Sequence, residues 1–234
     1  LIGGIAIMLN HDPAAAEQLL TLRSSLHTVL FPLSDVEGKF RTRRFEVLAG
    51  RQGTHTRCLE YGYCFEIDLS EAYFSPRLAT ERQRIVGLQN EGEYVIDMFA
   101  GIGPFAIVLA RKAGYVLGVD INPGAIRLMV RNLHLNRADN VIPMLADAYH
   151  LPDLVSWTFD RVIMNHPTAS MAFLPQAFRL CKPGGSIHLY LIQSYESEAL
   201  AALQNYPVAE ITEQVVRSYS PGRWHAVYDI RKKS

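Results

Sequence analysis

Residues 95–105 read Val-Ile-Asp-Met-Phe-Ala-Gly-Ile-Gly-Pro-Phe, and this stretch decides the fold of the chain. An apolar run ends at an acidic residue, Asp97, and two glycines, Gly101 and Gly103, follow one residue apart. Glycines after a strand let the backbone approach a ligand that any side chain would push away. The stretch therefore predicts a nucleoside-binding corner where a buried parallel strand meets a helix.

The glycine spacing favours S-adenosylmethionine over a dinucleotide. A dinucleotide site uses Gly-x-Gly-x-x-Gly, but the third position here is Ala106, and Pro104 lacks a backbone donor that a phosphate would use. Residues 115–120, Tyr-Val-Leu-Gly-Val-Asp, read as the next strand. The carboxylate of Asp120 at its end can accept hydrogen bonds from both ribose hydroxyls. An ordinary tight turn is the alternative interpretation of the glycines alone.

Strands and helices alternate after residue 80, which predicts an α/β fold with a parallel, doubly wound, Rossmann-like sheet. The predicted strands are 94–98, 115–119, 141–145, 160–164 and 186–192, and the predicted helices are 104–113, 123–135 and 170–181. Residues 214–218 and 224–230 predict an antiparallel pair at the sheet edge. Before residue 80, strands at 5–9, 28–30, 40–48 and 63–69 and a helix at 14–26 predict a small α+β unit. We therefore predict two domains, 1–80 and 81–234.

Composition indicates a soluble protein that we place in the cytoplasm. The chain has 234 residues, 49% of them hydrophobic, and no apolar run approaches the roughly 20 residues that span a bilayer. Its three cysteines, Cys58, Cys64 and Cys181, lack the spacing of a metal site, so we predict no metal. The sequence starts at Leu1 inside a strand-like pattern, and we expect that an upstream segment is missing.

The net charge is formally zero, from 23 basic and 23 acidic residues, but the basic residues cluster. Between Lys39 and Arg57 there are six basic residues and one carboxylate, Glu46. A solvated strand face would explain such a run. In an alternating strand, however, Arg41 and Arg43 share a face, and their planar guanidinium groups suit a phosphate or a guanine edge.

Two further loops follow predicted strands, where α/β sheets bind their ligands. Asp147 can accept from an adenine amine or cap a helix, and these roles can coexist. The turn Asn165-His166-Pro167 offers an amide that can orient a planar, nitrogen-bearing substrate beside a methyl donor. A turn without a function is the alternative for this motif.

The chain resembles the archaeal and eukaryotic tRNA (guanine-37-N1)-methyltransferases over nearly its whole length. The most specific string is Tyr-Phe-Ser-Pro-Arg-Leu-Ala-Thr-Glu-Arg at 73–82. The glycine loop, Asp120-Ile-Asn-Pro123, Asn165-x-Pro167, Val36-Glu-Gly-Lys-Phe-Arg41-x-Arg43 and Ser218-Tyr-Ser-Pro-Gly-x-Trp-His225 also match. The family usually carries an additional N-terminal domain that helps to hold the tRNA body.

The resemblance implies methyl transfer from S-adenosylmethionine to guanine N1, with the guanine flipped out of the anticodon loop. Glu81 matches the general base that removes the N1 proton, although a capping or helix-surface glutamate is the alternative. Either Arg41 or Arg43 holds the guanine O6, Asn165 orients the base, and Pro167 shapes its pocket. We expect a monomer that binds the tRNA anticodon loop.

The resemblance also assigns a cofactor site. Its residues are Tyr73, Phe74, Arg77, Asp97, Phe99, Gly101, Gly103, Asp120 and Asp147. Arg77 would meet the methionine carboxylate, whereas Tyr73 and Phe74 could instead be core aromatics that alternation sends to opposite faces. His166 stands where the family usually has leucine, and we expect its ring to face solvent with a modest effect on rate.

Three alternatives remain open at this point. The related wybutosine-pathway enzyme transfers the aminocarboxypropyl group of the same cofactor to a modified guanine. A catalytically silent RNA-binding relative would keep the fold, but intact Glu81, Asn165 and Pro167 argue against it. A small-molecule methyltransferase would leave the arginine cluster unexplained.

Overall fold

A computed structural model describes residues 1–36 and 38–234. Glu37, which belongs to the Val36–Arg41 stretch of the family resemblance, lies outside the described residues. The strands in chain order are β1 Ile5–Ile7, β2 Thr28–Pro32, β3 Phe45–Gly50, β4 His55–Glu60, β5 Tyr63–Asp68, β6 Tyr94–Asp97, β7 Tyr115–Asp120, β8 Val141–Leu145, β9 Phe159–Met164, β10 Cys181–Gln193, β11 Val208–Ser220 and β12 Arg223–Lys232. The α-helices are α1 Pro13–Leu22, α2 Ala79–Leu88, α3 Pro104–Ala110, α4 Pro123–Asn136, α5 Leu151–Leu154, α6 Leu174–Leu180 and α7 Leu200–Leu203. Within the described ranges, none of these helices is both long and apolar enough to cross a membrane.

Seven strands form one sheet in the order β11-β12-β10-β9-β6-β7-β8. The strands from β10 to β8 run parallel, whereas β12 pairs antiparallel with both β10 and β11. The sequence reversal between β6 and β9 puts the ends of β6, β7 and β9 at one edge, where open α/β sheets bind ligands. The predicted Rossmann-like sheet with an antiparallel edge pair is confirmed.

The central strands form because most of their side chains are apolar, as buried parallel strands require. Ile96, Val162, Ile187 and Leu189 are all fully buried. The predicted helix 170–181 is divided: a 3-10 turn covers Ser170–Phe173, and α6 begins at Leu174 with Pro175 in its first turn. Proline is favoured at that position because its missing N–H has no partner there anyway.

Contacts divide the chain into two compact units. The first unit contains Leu1–Ala79, Gly101–Pro104 and Asn122–Arg137, and the second contains Thr80–Ala100, Phe105–Ile121 and Ala138–Ser234. Helix α4 therefore belongs to the first unit, where it packs on β5. The predicted domain boundary at residue 80 stays a prediction, since compactness alone does not show which parts fold independently.

Side-chain amides explain why α4 packs on β5. Asn132 accepts a hydrogen bond from the backbone N of Glu66 (2.6 Å) and donates to the carbonyl oxygens of Glu66 (3.1 Å) and Ile102 (3.0 Å). One turn later, Asn136 accepts from the backbone N of Cys64 (2.9 Å) and donates to its carbonyl oxygen (2.7 Å). The helix thereby satisfies backbone groups along β5 that its two-stranded sheet leaves open.

In the first unit, two predicted boundaries were wrong and one strand was missed. The helix predicted at 14–26 ends at Leu22, and β4 was not predicted. The strand predicted at 40–48 begins only at Phe45, because Arg41 adopts a left-handed φ of 53° that no strand accommodates. The premise that Arg41 and Arg43 share a strand face is therefore wrong as well.

Candidate active site

Asp97 lies at the end of β6 with only 1% of its surface exposed. Its Oδ1 accepts a hydrogen bond of 3.3 Å from the backbone N of Phe99. Burial, reinforced by the charge of Asp120, raises the pKa of the Asp97 carboxyl from 3.8 to about 7. A buried carboxyl with so high a pKa gains stability when a ligand amine or hydroxyl donates to it.

Asp120 and Asp147 follow the two neighbouring strands. Asp120 ends β7, where β6 pairs with it in parallel. The loop after β8 approaches this point, because the backbone N of Ala146 donates to the carbonyl oxygen of Asp120 (3.1 Å). Asp147 accepts from the backbone N of Tyr149 (3.0 Å) and so caps the turn Ala148–His150. The capping role expected as an alternative is present, and one of its oxygens can still serve a ligand.

The glycine loop has the backbone that a close ligand approach requires. Gly101 and Gly103 have φ values of 57° and 89°, which lie in the left-handed region that glycine adopts without strain. A Cβ on Gly101 would lie 3.7 Å from the carbonyl oxygen of Tyr73. The loop and Tyr73 are therefore neighbours within the first unit.

The other predicted residues of the first unit differ in exposure. Tyr73 is 42% exposed, and the guanidinium of Arg41 lies 5.1 Å from the centre of its ring. Phe74 points the other way: it is 5% exposed and packs on Phe65 at 5.9 Å. Arg77 is exposed in the 3-10 turn Pro76–Leu78. Alternation thus separates Tyr73 from Phe74 as expected, and Phe74 is a core aromatic.

Two of the predicted polar residues have a buried atom without a hydrogen bond. They are Asn165, through its amide oxygen, and Arg43, through its Nε. A buried polar atom that lacks a partner costs about 1–3 kcal/mol. Each atom would recover that cost by gaining a partner of its own, a donor for Asn165 and an acceptor for Arg43.

The Asn165–Pro167 turn is held rigidly after β9. The hydroxyl of Ser170 donates to the carbonyl oxygens of Met164 (2.8 Å) and His166 (2.9 Å). Pro167 in turn accepts from the backbone N of Ile192 (3.1 Å) on β10. A cavity of about 250 Å³ adjoins this turn. Its lining includes Pro167, Thr168, Met171, Leu191 and Gln193.

His166 does not face solvent, so that expectation was wrong. Its ring is half-buried and meets Phe99 edge-on, with 5.2 Å between the ring centres. Phe99 meets Phe173 in the same way at 5.1 Å. The histidine therefore extends an aromatic cluster where leucine would supply only an aliphatic side chain.

Glu81 lies in the first turn of α2 and is 7% exposed, which excludes a helix-surface role. Arg84 donates to both of its oxygens, from Nε to Oε2 and from Nη2 to Oε1, each at 2.8 Å. The buried hydroxyl of Tyr190 donates to Oε1 at 2.7 Å. Three donors thus fix the orientation of the carboxyl group.

Sequence reasoning missed Tyr190, and with it His188 on the same strand and Asp229 on β12. In the apolar run Ile187–Ile192, the polar side chains of His188 and Tyr190 are two positions apart. That alternation was a usable signal, because polar side chains repeating on one face of a buried strand need partners on the element that covers it.

Comparisons with known proteins agree with this geometry. The model of the TRM5/TYW2 methyltransferase domain matches residues 56–214. The tRNA (guanine(37)-N(1))-methyltransferase Trm5b of Pyrococcus abyssi is 35% identical over 246 residues, covering 99% of this chain and 73% of that protein. The tRNA(Phe) (4-demethylwyosine(37)-C(7)) aminocarboxypropyltransferase of Methanocaldococcus jannaschii is 32% identical, covering 98% of this chain and 96% of that protein.

Among solved structures, a complex of aTrm5 with tRNALeu superposes with a TM-score of 0.90 at 32% identity. That likeness covers 100% of this chain and 71% of the other. Methyltransferases of this family use S-adenosylmethionine, which fits the buried Asp97 and the left-handed glycine loop. The chain belongs to the TRM5/TYW2 family of tRNA-modifying enzymes.

Proposed function

We propose that this chain methylates N1 of guanine at position 37 of tRNA, with Glu81 as the general base. The observation that carries the proposal is the placement of Glu81: a buried carboxyl group, oriented by Arg84 and Tyr190, on the unit that bears Asp97 and Asn165. Guanine N1 bears a proton and is a poor nucleophile. A fixed base that removes this proton is what the reaction needs.

The level of the residues along the sheet supports the same proposal. Leu189 on β10 pairs with Met164, the last residue of β9. The next residues, Tyr190 within β10 and Asn165 just after β9, therefore lie at the same level along the strands. The hydroxyl of Tyr190 carries the link to Glu81. A guanine oriented by Asn165 would thus lie at the level of the proposed base.

The residues of the proposed site have separate roles in the reaction. When bound, S-adenosylmethionine supplies the electrophilic methyl group, and Asp97, Asp120, Asp147, Phe99, Gly101, Gly103, Tyr73 and Arg77 are the residues proposed to hold it. While N1 takes the methyl group, the bond from that carbon to the cofactor sulfur would break and the N1 proton would pass to Oε2 of Glu81. This oxygen accepts one hydrogen bond, from Nε of Arg84, whereas Oε1 accepts two. The amide oxygen of Asn165 accepts from the guanine edge, and Pro167 closes the pocket.

Arg41 is our choice for the guanine O6. The guanidinium of Arg41 lies over the ring of Tyr73, a residue of the proposed cofactor site. A fixed cation stabilises the negative charge that develops on O6 while N1 loses its proton. Arg43 is then left for a phosphate, which its buried and unpaired Nε can also bind.

The second candidate is aminocarboxypropyl transfer to a modified guanine. The observation in its favour is the likeness to the M. jannaschii aminocarboxypropyltransferase, which extends over 96% of that protein. Both candidates use one cofactor and differ in which carbon next to sulfur is attacked. The modified nucleoside that forms therefore distinguishes methyl transfer from aminocarboxypropyl transfer, whereas binding of the cofactor or of tRNA does not.

The test uses S-adenosylmethionine labelled separately on the methyl and on the aminocarboxypropyl carbons, with unmodified tRNA carrying guanine 37. After digestion to nucleosides, we expect methyl label in 1-methylguanosine and a loss of at least about 100-fold in single-turnover rate for Glu81→Gln. Label from the aminocarboxypropyl carbons alone, on this tRNA or on tRNA carrying the modified guanine, would support the second candidate.

The chain offers a matched control for this substitution. Glu93 is 9% exposed and accepts from Arg161 with both oxygens, at 2.7 and 3.0 Å, as Glu81 does from Arg84. Glu93→Gln should lower stability while the same methylated nucleoside still forms. If Glu93→Gln and Glu81→Gln lost activity equally, a structural role for Glu81 would replace the catalytic one.

A further inference from the structure

Arg84 is shared between two carboxylates. Besides its two hydrogen bonds to Glu81, it donates to Asp229 Oδ2 at 2.6 Å and to Oδ1 at 3.2 Å. Asp229 also accepts from Nδ1 of His188 at 2.6 Å. Hydrogen bonds thus run from the sheet, through Asp229 and Arg84, to the carboxyl group of Glu81.

The protonation of His188 follows from its two partners. On one side Nδ1 faces a carboxylate, which only accepts, and on the other Nε2 lies 2.6 Å from Nη1 of Arg161, which only donates. The ring is therefore neutral, with its proton on Nδ1. Complete burial agrees with this state, because it lowers the pKa of His188 despite the neighbouring Asp229.

Asp229 remains ionised throughout the range in which the enzyme would be assayed. Burial acts to raise its pKa, but hydrogen bonds from His188 and Arg84 outweigh it and hold the pKa at about 2. Arg84 consequently divides its positive charge between a permanent anion and Glu81. A guanidinium engaged by Glu81 alone would hold that carboxylate more strongly and make it a weaker base.

We propose that Arg84 and Asp229 form a positioning pair for the general base: Arg84 orients the Glu81 carboxyl, and Asp229 offsets the charge of Arg84 so that Glu81 remains able to accept the guanine proton. The inference rests on the proposed function, since it concerns the same glutamate. Neither residue touches substrate, so both act through Glu81.

Other ionisable groups lie near Glu81, Arg84 and Asp229 on the strands packed against α2. Tyr190 and His188 project from β10, and the pKa of Tyr190 is raised by burial and by Glu81, so its hydroxyl stays protonated. Arg161 on β9 carries the ion pair with Glu93, and the ring of His225 on β12 lies 5.6 Å from that of Tyr190. Arg84 and Asp229 are the charged groups nearest to Glu81 in this hydrogen-bonded sequence, which continues through the neutral His188 to the ion pair of Arg161 and Glu93.

The proposal predicts opposite shifts in the acid limb of the pH–rate profile, measured as single-turnover methyl transfer with saturating tRNA. Asp229→Asn leaves Arg84 uncompensated, so the limb should move to lower pH by about one unit while the plateau rate falls. Arg84→Gln removes the cation, so the limb should move to higher pH. Arg84→Lys retains the charge without the planar fork, so the rate should fall while the limb stays near its wild-type position.

The control is Asp160→Asn, which removes a carboxylate paired with Lys182 at 2.9 Å in the same sheet but outside this cluster. It should leave the limb unmoved. Thermal unfolding and S-adenosylmethionine binding check that each variant is folded. If Arg84→Gln does not fold, the pH–rate profiles of Asp229→Asn and Arg84→Lys still test the proposal. An acid limb that stays in place or rises in Asp229→Asn overturns the positioning pair.

Failure of the proposed function gives a result that differs from failure of the positioning pair. A wild-type protein that forms no 1-methylguanosine, or a Glu81→Gln variant that keeps its rate, rejects the general base before the pair is compared. If Glu81→Gln is inactive but the acid limb of the pH–rate profile stays in place in both Asp229→Asn and Arg84→Gln, only the role of Arg84 and Asp229 is rejected.

Discussion

At the scale of the residue, Asp97 has the most informative chemistry. Its buried environment disfavours the negative charge with which its carboxylate would accept hydrogen bonds from the proposed ligand. Its folded pKa of about 7 lies above the ordinary 3.8. Between these two pH values the folded state binds more protons than the unfolded state, so this group lowers stability as pH rises. The full cost above neutral pH is on the order of 4 kcal/mol.

We therefore expect Asp97→Asn to stabilise the protein in the absence of cofactor, by up to about 4 kcal/mol at pH 8 and by little at about pH 3, where the carboxyl is protonated in the folded state and mostly protonated in the unfolded state. The same change should weaken S-adenosylmethionine binding at least about tenfold, because an accepting carboxylate is lost. Thermal unfolding at both pH values and calorimetric titration measure the two effects. A variant less stable than wild type at pH 8 would contradict the assignment.

At the scale of the element, the amides on α4 determine how that helix packs on β5. Asn132 is completely buried and satisfies two backbone groups of Glu66 and one of Ile102. Asn132→Ala would leave these groups without partners, so we expect a loss of about 2–4 kcal/mol in the free energy of unfolding. Denaturation in urea measures it.

Asn136→Ala provides the comparison within the same helix. Its hydrogen bonds to Cys64 are only partly buried, so water can replace them and the loss should be about 1 kcal/mol. Equal losses for Asn132→Ala and Asn136→Ala would show that burial does not set the cost.

At the scale of the whole molecule, the proposed binding of tRNA would depend on a local basic surface, because the net charge is zero. Arg57 contributes less to that surface, since its exposed guanidinium pairs with Glu66 at 3.3 Å. Arg41, Arg43 and Arg44 remain, in the segment before β3. We propose that Arg43 and Arg44 bind RNA phosphates, whereas Arg41 holds the guanine O6.

The dependence of tRNA affinity on salt tests this surface. In a plot of log affinity against log salt concentration, each of Arg43→Gln and Arg44→Gln should reduce the slope by about one. Arg57→Gln is the matched control and should reduce the slope by less. A wild-type slope near zero would exclude a polyanionic substrate and return the chain to the small-molecule methyltransferases.

The chemistry at the strand ends was predictable from sequence because it is local. Asp97, Gly101, Gly103 and Asp120 lie directly after predicted strands, and parallel strands end at the same edge of a sheet. The antiparallel pair β11–β12 followed in the same way from alternation around a turn. The boundaries near Arg41 were not predictable, since one left-handed residue ends a strand without any marker in the pattern.

The sequence by itself determined the α/β sheet and the cofactor class, and it singled out Glu81 as the proposed base, since these depend on periodicity and on motifs of neighbouring residues. Only the tertiary structure decided what surrounds Glu81. Arg84 lies on the same helix, but Tyr190 and Asp229 lie on strands more than a hundred residues away, which the pairing of β10 with β12 brings together. The basicity of a buried carboxylate depends on the charges and donors that meet it in space, and local sequence does not encode those contacts.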